Sequence, residues 1–283
     1  MIRFNIFSLS LRRFIVLVST GLLFGGGIWI LNHTPSLQGY WYKFFTEAEM
    51  GTFFCEKTNM NHIIRQPMNT LSNFIYWLTA VIIINRGWKD KTKRNRYNII
   101  SANPFYSLTL GVILLYIFCA SVFFHSSLIH FASELDFSAV YSLSLFPLMY
   151  YTHRVWLLRL GLPSNQKHFT STITLILVFS ILYLLLTFFL PRGIRNFVVL
   201  GIILTIICFG VIVEKYDRGK TNHYYLATCI LSILFAVMWF GFDVYKVLCN
   251  PDSIVQPHSL WHLFSGISAF YFYMYIRSEK NKI

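Results

Sequence analysis

The feature that most constrains this chain is a series of eight apolar runs, at 14–31, 68–85, 104–124, 136–151, 169–190, 196–213, 224–244 and 258–276. Each is close to the roughly 17 to 25 residues that span hydrocarbon as a helix. At 55% hydrophobic and 12% charged, the sequence is too apolar for a soluble globule and too poor in charge for disorder. No internal repeat or low-complexity linker divides it. The expected fold class is therefore all-α, a polytopic transmembrane helix bundle forming one domain, with the first helix peripheral.

A net charge of +13 raises the question of nucleic acid, which the placement of the basic residues answers. With the N-terminus inside, 18 of 24 lie on inner segments: Arg3, Arg12, Arg13; Arg86, Lys89, Lys91, Lys93, Arg94, Arg96; Arg154, Arg159, Lys167; Lys215, Arg218, Lys220; Arg277, Lys280, Lys282. Lys43, Lys57, Arg65, Arg192, Arg195 and Lys246 remain outside. This alternation is what the positive-inside rule requires of eight spans with both termini cytoplasmic. The charge thus describes a multi-pass membrane protein whose partner is the lipid bilayer, with no nucleic acid and no obligate protein partner evident. The first run could also be read as a signal peptide. Its length exceeds a typical h-region and no A-x-A-like site follows, which favours a retained anchor.

Of five cysteines, Cys119, Cys208 and Cys229 fall within spans, whereas Cys55 and Cys249 share the outer side. A bridge between the last two suits an extracytoplasmic face, and two unrelated thiols suit the sequence equally well.

Polar groups gather at the outer ends of the spans. "CASVFFHSSLIHFASELDF" closes the third and opens the fourth; "QPHSLWHLFSGISAF" begins the eighth. Ser121, His125, Asp136, His258 and His262 lie at one depth, and residues four apart share a helix face. Three imidazoles with an open fourth position suit catalytic zinc, which makes hydroxide available at neutral pH. Asp136 is placed to shuttle the proton and Ser121 to donate to a developing oxyanion. Each residue also has a plainer reading. A His-x-x-x-His pair alone is weak evidence of metal; Asp136 or Ser133 suits a helix N-cap; Ser121 suits a bond to its own helix carbonyl. Their shared depth favours function, because ionisable residues inside membranes are rare. His130 lacks a helical spacing to the others, and His62 is also outside. His153, His168 and His223 lie near inner loops, where they are expected to face water or headgroups. Asn69, Ser72 and Asn73 form a polar stripe, read first as interhelical hydrogen bonding.

These residues resemble the alkaline ceramidase family, within the wider seven-helix hydrolase superfamily that includes the adiponectin-type receptors. "SVFFHSSLIHFASELD" carries the family's serine, histidine and aspartate at Ser121, His125 and Asp136. "HSLWHLFSG" carries its paired histidines at His258 and His262 around Trp261. "FCEKTNMNHIIRQPMNTLSN" is similar to its early segment through Cys55, Glu56, Asn69, Thr70, Ser72 and Asn73. The resemblance covers about residues 50 to 278. It implies zinc on His125, His258 and His262, proton handling by Asp136, oxyanion assistance by Ser121, and ceramide cleaved to a sphingoid base and a fatty acid. "WFGFDVYKVLC" is similar to a further family stretch and implies a structural Asp243 and a Cys55–Cys249 pair.

Departures from the pattern put calcium in doubt. Phe53 and Phe54 stand where the family has Asp-Trp, Gln66 falls where a second glutamate is expected, and only Glu56 of the hard oxygen ligands clearly remains. The expected organisation is an anchor helix and outer linker over 1–49, a seven-helix catalytic domain over 50–278 and a short basic tail over 279–283, with the zinc site toward the periplasmic, lumenal or extracellular side. The alternatives in view are a hydrolase of another amide- or ester-linked lipid, since the ligands do not read the headgroup, and a lipid-sensing receptor with structural zinc.

Overall fold

The computed structural model describes residues 11–44, 54–92, 98–160, 165–216 and 221–279. Phe53, the boundary expected at 49/50, Arg3, Lys93, Arg94, Arg96, Arg218, Lys220 and residues 280–283 lie outside them, as does the His168 side chain.

The described residues are all-helical. The α-helices are α1 (Leu11–Asn32), α2 (Pro67–Ser72), α3 (Phe74–Thr92), α4 (Ile99–Ala102), α5 (Phe105–Ser127), α6 (His130–Leu160), α7 (Asn165–Phe189), α8 (Arg195–Tyr216), α9 (His223–Val244) and α10 (Pro257–Ser278). Four stretches among them are long and apolar enough to cross a membrane by length and composition: Pro67–Lys91, Phe105–Ser127, Arg195–Val213 and His223–Val244. Large apolar side chains such as Phe188, Phe197, Leu204 and Leu231 stand exposed, while Arg65, Asn69, Gln66 and Asp243 are fully buried. That inversion fits a lipid environment, where apolar surface needs no cover and every polar group needs a partner.

The second apolar run becomes two helices. Pro67 opens α2, where its missing N–H costs nothing, and a tightened turn at Asn73 separates α2 from α3. Short α2 packs against both α5 and α10, so it bridges the two helices that carry the histidines. Glycine permits the closest helix approaches. A Cβ on Gly266 of α10 would sit 2.7 Å from Ile75 Cγ2 on α3, which only a residue without a side chain avoids.

At the far end of α10 charged side chains are buried in pairs. Arg154 Nε lies 3.0 Å from Glu279 Oε1, whose other oxygen accepts from Tyr150 at 2.6 Å. Arg277 pairs with Asp90 through both guanidinium nitrogens. His153, expected to face water, is instead fully buried and bonded to the Tyr106 hydroxyl. These groups tie α3, α5, α6 and the C-terminal end of α10 together, so a position near a loop did not translate into exposure for His153. Glu279, expected as the first tail residue, belongs to this network.

The N-terminal helix is tied to the rest by specific contacts. Phe24 packs on Phe74 and Phe118. Asn32 Oδ1 accepts from Ile64 N at 2.8 Å, and its Nδ2 donates to Ile64 O at 3.2 Å.

Candidate metal centre

His125 lies in the last turn of α5, which ends at Leu128 in a left-handed conformation with φ 53°. The α5 carbonyls left open there are taken by the incoming segment: Arg65 N donates to Ser126 O and Gln66 N to His125 O, each at 3.1 Å. On the other side Pro257 starts α10, so His258 stands in its first turn and His262 one turn on. A disulfide between Cys55 and Cys249, with Cα atoms 5.6 Å apart, joins the loop before α2 to the loop before α10. The bridge that the sequence left open is therefore formed.

The three imidazoles converge. One ligand nitrogen from each of His125, His258 and His262 lies within 4.8 Å of the others, and all three residues are buried. Two rings are hydrogen-bonded at Nδ1, and the third faces a carboxylate there. His125 Nδ1 is 2.9 Å from Gln66 Oε1, His262 Nδ1 is 2.8 Å from Ser72 Oγ, and His258 Nδ1 is 3.3 Å from Asp243 Oδ2.

Donor and acceptor roles bear on the tautomers. An amide oxygen can only accept, so His125 carries its proton on Nδ1; the Asp243 carboxylate 3.3 Å away favours the same tautomer in His258 through its charge, although that contact falls outside hydrogen-bond geometry. Ser72 donates its one proton to Asn69 O at 2.9 Å, so it accepts from His262 Nδ1. Each ring is left with a lone pair on Nε2, the atom a metal takes, and His125 Nε2 is buried with no hydrogen-bond partner. Three converging imidazoles with polar outer partners match the donor set of a catalytic zinc site.

The supports were only partly anticipated. Gln66, noted in the sequence as a departure, orients His125. Ser72, read as helix glue, orients His262. Phe54 sets its ring edge-on against His125 and His258 at centroid distances of 5.0 and 4.5 Å, and so covers the cluster with apolar surface. Glu56 does not join the cluster: its oxygens accept from Met68 N at 2.7 Å and Asn69 N at 2.8 Å, capping α2. Burial pushes its carboxyl up to about 7.

Asp136 is half-buried on α6 and interacts electrostatically with His258, and the Ser121 hydroxyl hydrogen-bonds its carboxylate. Since α6 begins at His130, Asp136 and Ser133 lie inside the helix and neither caps it. His130 stays outside the cluster, 3.9 Å from Glu134.

Beside the cluster opens an apolar cavity of about 110 Å³. Tyr76, Trp261 and Ser265 line the end next to His262, while Leu143, Ile203 and Ile230 line its walls. Helices α8 and α9 both contribute walls.

Comparison with known proteins agrees with this arrangement. No curated protein and no solved structure matches the chain. The Ceramidase family model matches residues 51–281, which takes in the three histidines, Ser121, Asp136 and the disulfide. On that match over most of its length, the chain belongs to the ceramidase family.

Proposed function

We propose that the protein is a zinc-dependent intramembrane hydrolase that cleaves the amide bond of ceramide to a sphingoid base and a fatty acid. The observation that carries this reading is the set of three buried histidines, each bringing one ring nitrogen within 4.8 Å of the others and each with a polar group beside Nδ1. Zinc held by His125, His258 and His262 supplies Lewis acidity toward an amide carbonyl and toward water at neutral pH.

The chain's own residues do the rest. Asp136 takes a proton from the attacking water and delivers it to the leaving amine nitrogen, so one carboxylate serves as base and then as acid. Ser121, which rests its proton on Asp136, turns to the oxyanion once Asp136 is protonated. The apolar cavity takes an acyl or sphingoid chain.

The catalytic unit is residues 50–278, preceded by the anchor and linker over 1–49. Both termini are cytoplasmic and the metal site faces the outer side, in keeping with the basic-residue asymmetry. No hard-oxygen cluster for calcium is part of this reading, because Glu56 is engaged as a helix cap and Gln66 as a histidine partner.

Purified protein is assayed for bound zinc and for fatty acid released from ceramide, with His258→Ala and Asp136→Asn alongside. Zinc near one per chain with turnover, both lost in His258→Ala and turnover alone lost in Asp136→Asn, is the expected result. Wild-type protein without zinc overturns the mechanism. Zinc without turnover, with Asp136→Asn unchanged in lipid binding, points instead to a receptor.

A further inference from the structure

The Tyr76 hydroxyl stands where the cavity meets the imidazoles. The residue is 3% exposed, its ring centroid is 6.0 Å from that of His262, it lines the cavity, and it interacts electrostatically with Asp136. Its oxygen lies 2.6 Å from Ser265 Oγ.

Proton bookkeeping decides what that hydroxyl offers. Ser265 Oγ also lies 2.6 Å from Trp261 O and 3.2 Å from His262 O. Carbonyl oxygens only accept, so the single Ser265 proton goes to them, and Tyr76 must donate to Ser265. With its proton committed, the Tyr76 oxygen is left as an acceptor at the edge of a cavity lined mainly by apolar side chains. A buried acceptor is satisfied only when something brings a donor to it.

We propose that Tyr76 is a specificity residue that accepts a hydrogen bond from an N–H or O–H group flanking the scissile carbonyl of the lipid. This deepens the hydrolase reading and rests on it. The metal ligands and Asp136 serve any carbonyl, amide or ester, whereas Tyr76 selects lipids that carry a donor beside the bond to be cut. A site built to accept from such a group discriminates against an analogue lacking it, because the acceptor is then left buried and unpaired.

Three lipids of equal chain length test it: a short-chain ceramide, its ester counterpart in which oxygen replaces the amide N–H, and its deoxy counterpart lacking the neighbouring hydroxyl. Tyr76→Phe is compared with wild type on each. The expected result is a fall in kcat/KM of about tenfold or more on the ceramide. On the analogue that lacks the donor Tyr76 reads, the variant stays within about twofold of wild type, which shows that it is folded and identifies the donor as N–H or O–H. An equal fall on all three lipids overturns the proposal and makes Tyr76 structural; no fall on the ceramide overturns it as well.

Equilibrium binding of the same lipids with a nitroxide-labelled chain is read by quenching of tryptophan fluorescence, since Trp261 lines the cavity. The same selectivity in Kd is expected whether or not the bond is cut. Selectivity without turnover in wild type therefore overturns the hydrolase reading and upholds Tyr76, while a Tyr76→Phe variant that binds all three lipids as wild type does overturns the role given to Tyr76.

Discussion

Asp243 offers the sharpest test of how the metal centre is held. Its carboxylate is fully buried: Oδ1 accepts from Cys55 N at 2.8 Å, and Oδ2 stands 3.3 Å from His258 Nδ1, close enough for its charge to favour the proton on that nitrogen. Asn keeps the size but offers one acceptor and one donor group. If the amide oxygen serves Cys55, the NH₂ faces His258, whose imidazole is then better satisfied by moving its proton to Nε2. That tautomer presents N–H, not a lone pair, to the metal. If the amide flips, the buried Cys55 N–H loses its partner instead and the loop carrying it loosens. Loss of such an outer partner typically weakens metal binding about 10- to 100-fold, or about 1.4 to 2.7 kcal/mol. Zinc affinity of wild type and Asp243→Asn is measured by chelator competition, with thiol titration confirming that the Cys55–Cys249 bridge is intact. An affinity within about twofold of wild type would refute the tautomer argument.

Glu56 gives a pH signature. Burial raises its carboxyl from 4.5 to about 7, so the folded chain holds this proton more tightly than the unfolded one. Its contribution to stability is therefore fully present below about 4.5 and is lost as pH rises through 7, a change on the order of 3 kcal/mol. Glu56→Gln, which does not titrate, should flatten that part of the pH profile of thermal unfolding in detergent, and parallel profiles for the two proteins would count against the assignment. Asn32→Ala removes both bonds to Ile64 and should cost about 1 to 3 kcal/mol. Thermal unfolding in detergent reads that loss, and an unchanged transition would show that α1 is held by apolar packing alone.

Much of the candidate site was legible because helical spacing is a local property. His258 and His262 had to share a face of whatever helix contained them, and Ser121 had to lie one turn from His125. The packing partners were not local. Gln66 is 59 residues from His125, Ser72 is 190 from His262, and Asp243 approaches His258 across the loop that Cys249 anchors. Nothing in the spacing of Gln66 or Ser72 distinguished a histidine partner from a substituted ligand position or a polar helix contact. The one signal that could have found Ser72 was its place on the polar stripe facing another helix. His153 was misjudged for the same reason: distance from a span's end measures depth, whereas burial depends on which neighbours arrive.

By itself the sequence determined that this chain is helical, apolar enough for a bilayer and supplied at one depth with three histidines, a serine and an aspartate. Those properties follow from run length, composition and the 3.6-residue period, each set by residues close in the chain. Tertiary structure alone decided that α2 bridges α5 and α10, that Cys55 meets Cys249, that each Nδ1 comes to face a polar group, and that Tyr76 stands between the cavity and His262. Hydrogen bonds over a few ångströms depend on backbone positions brought together from distant segments, and no local pattern encodes the distance between them.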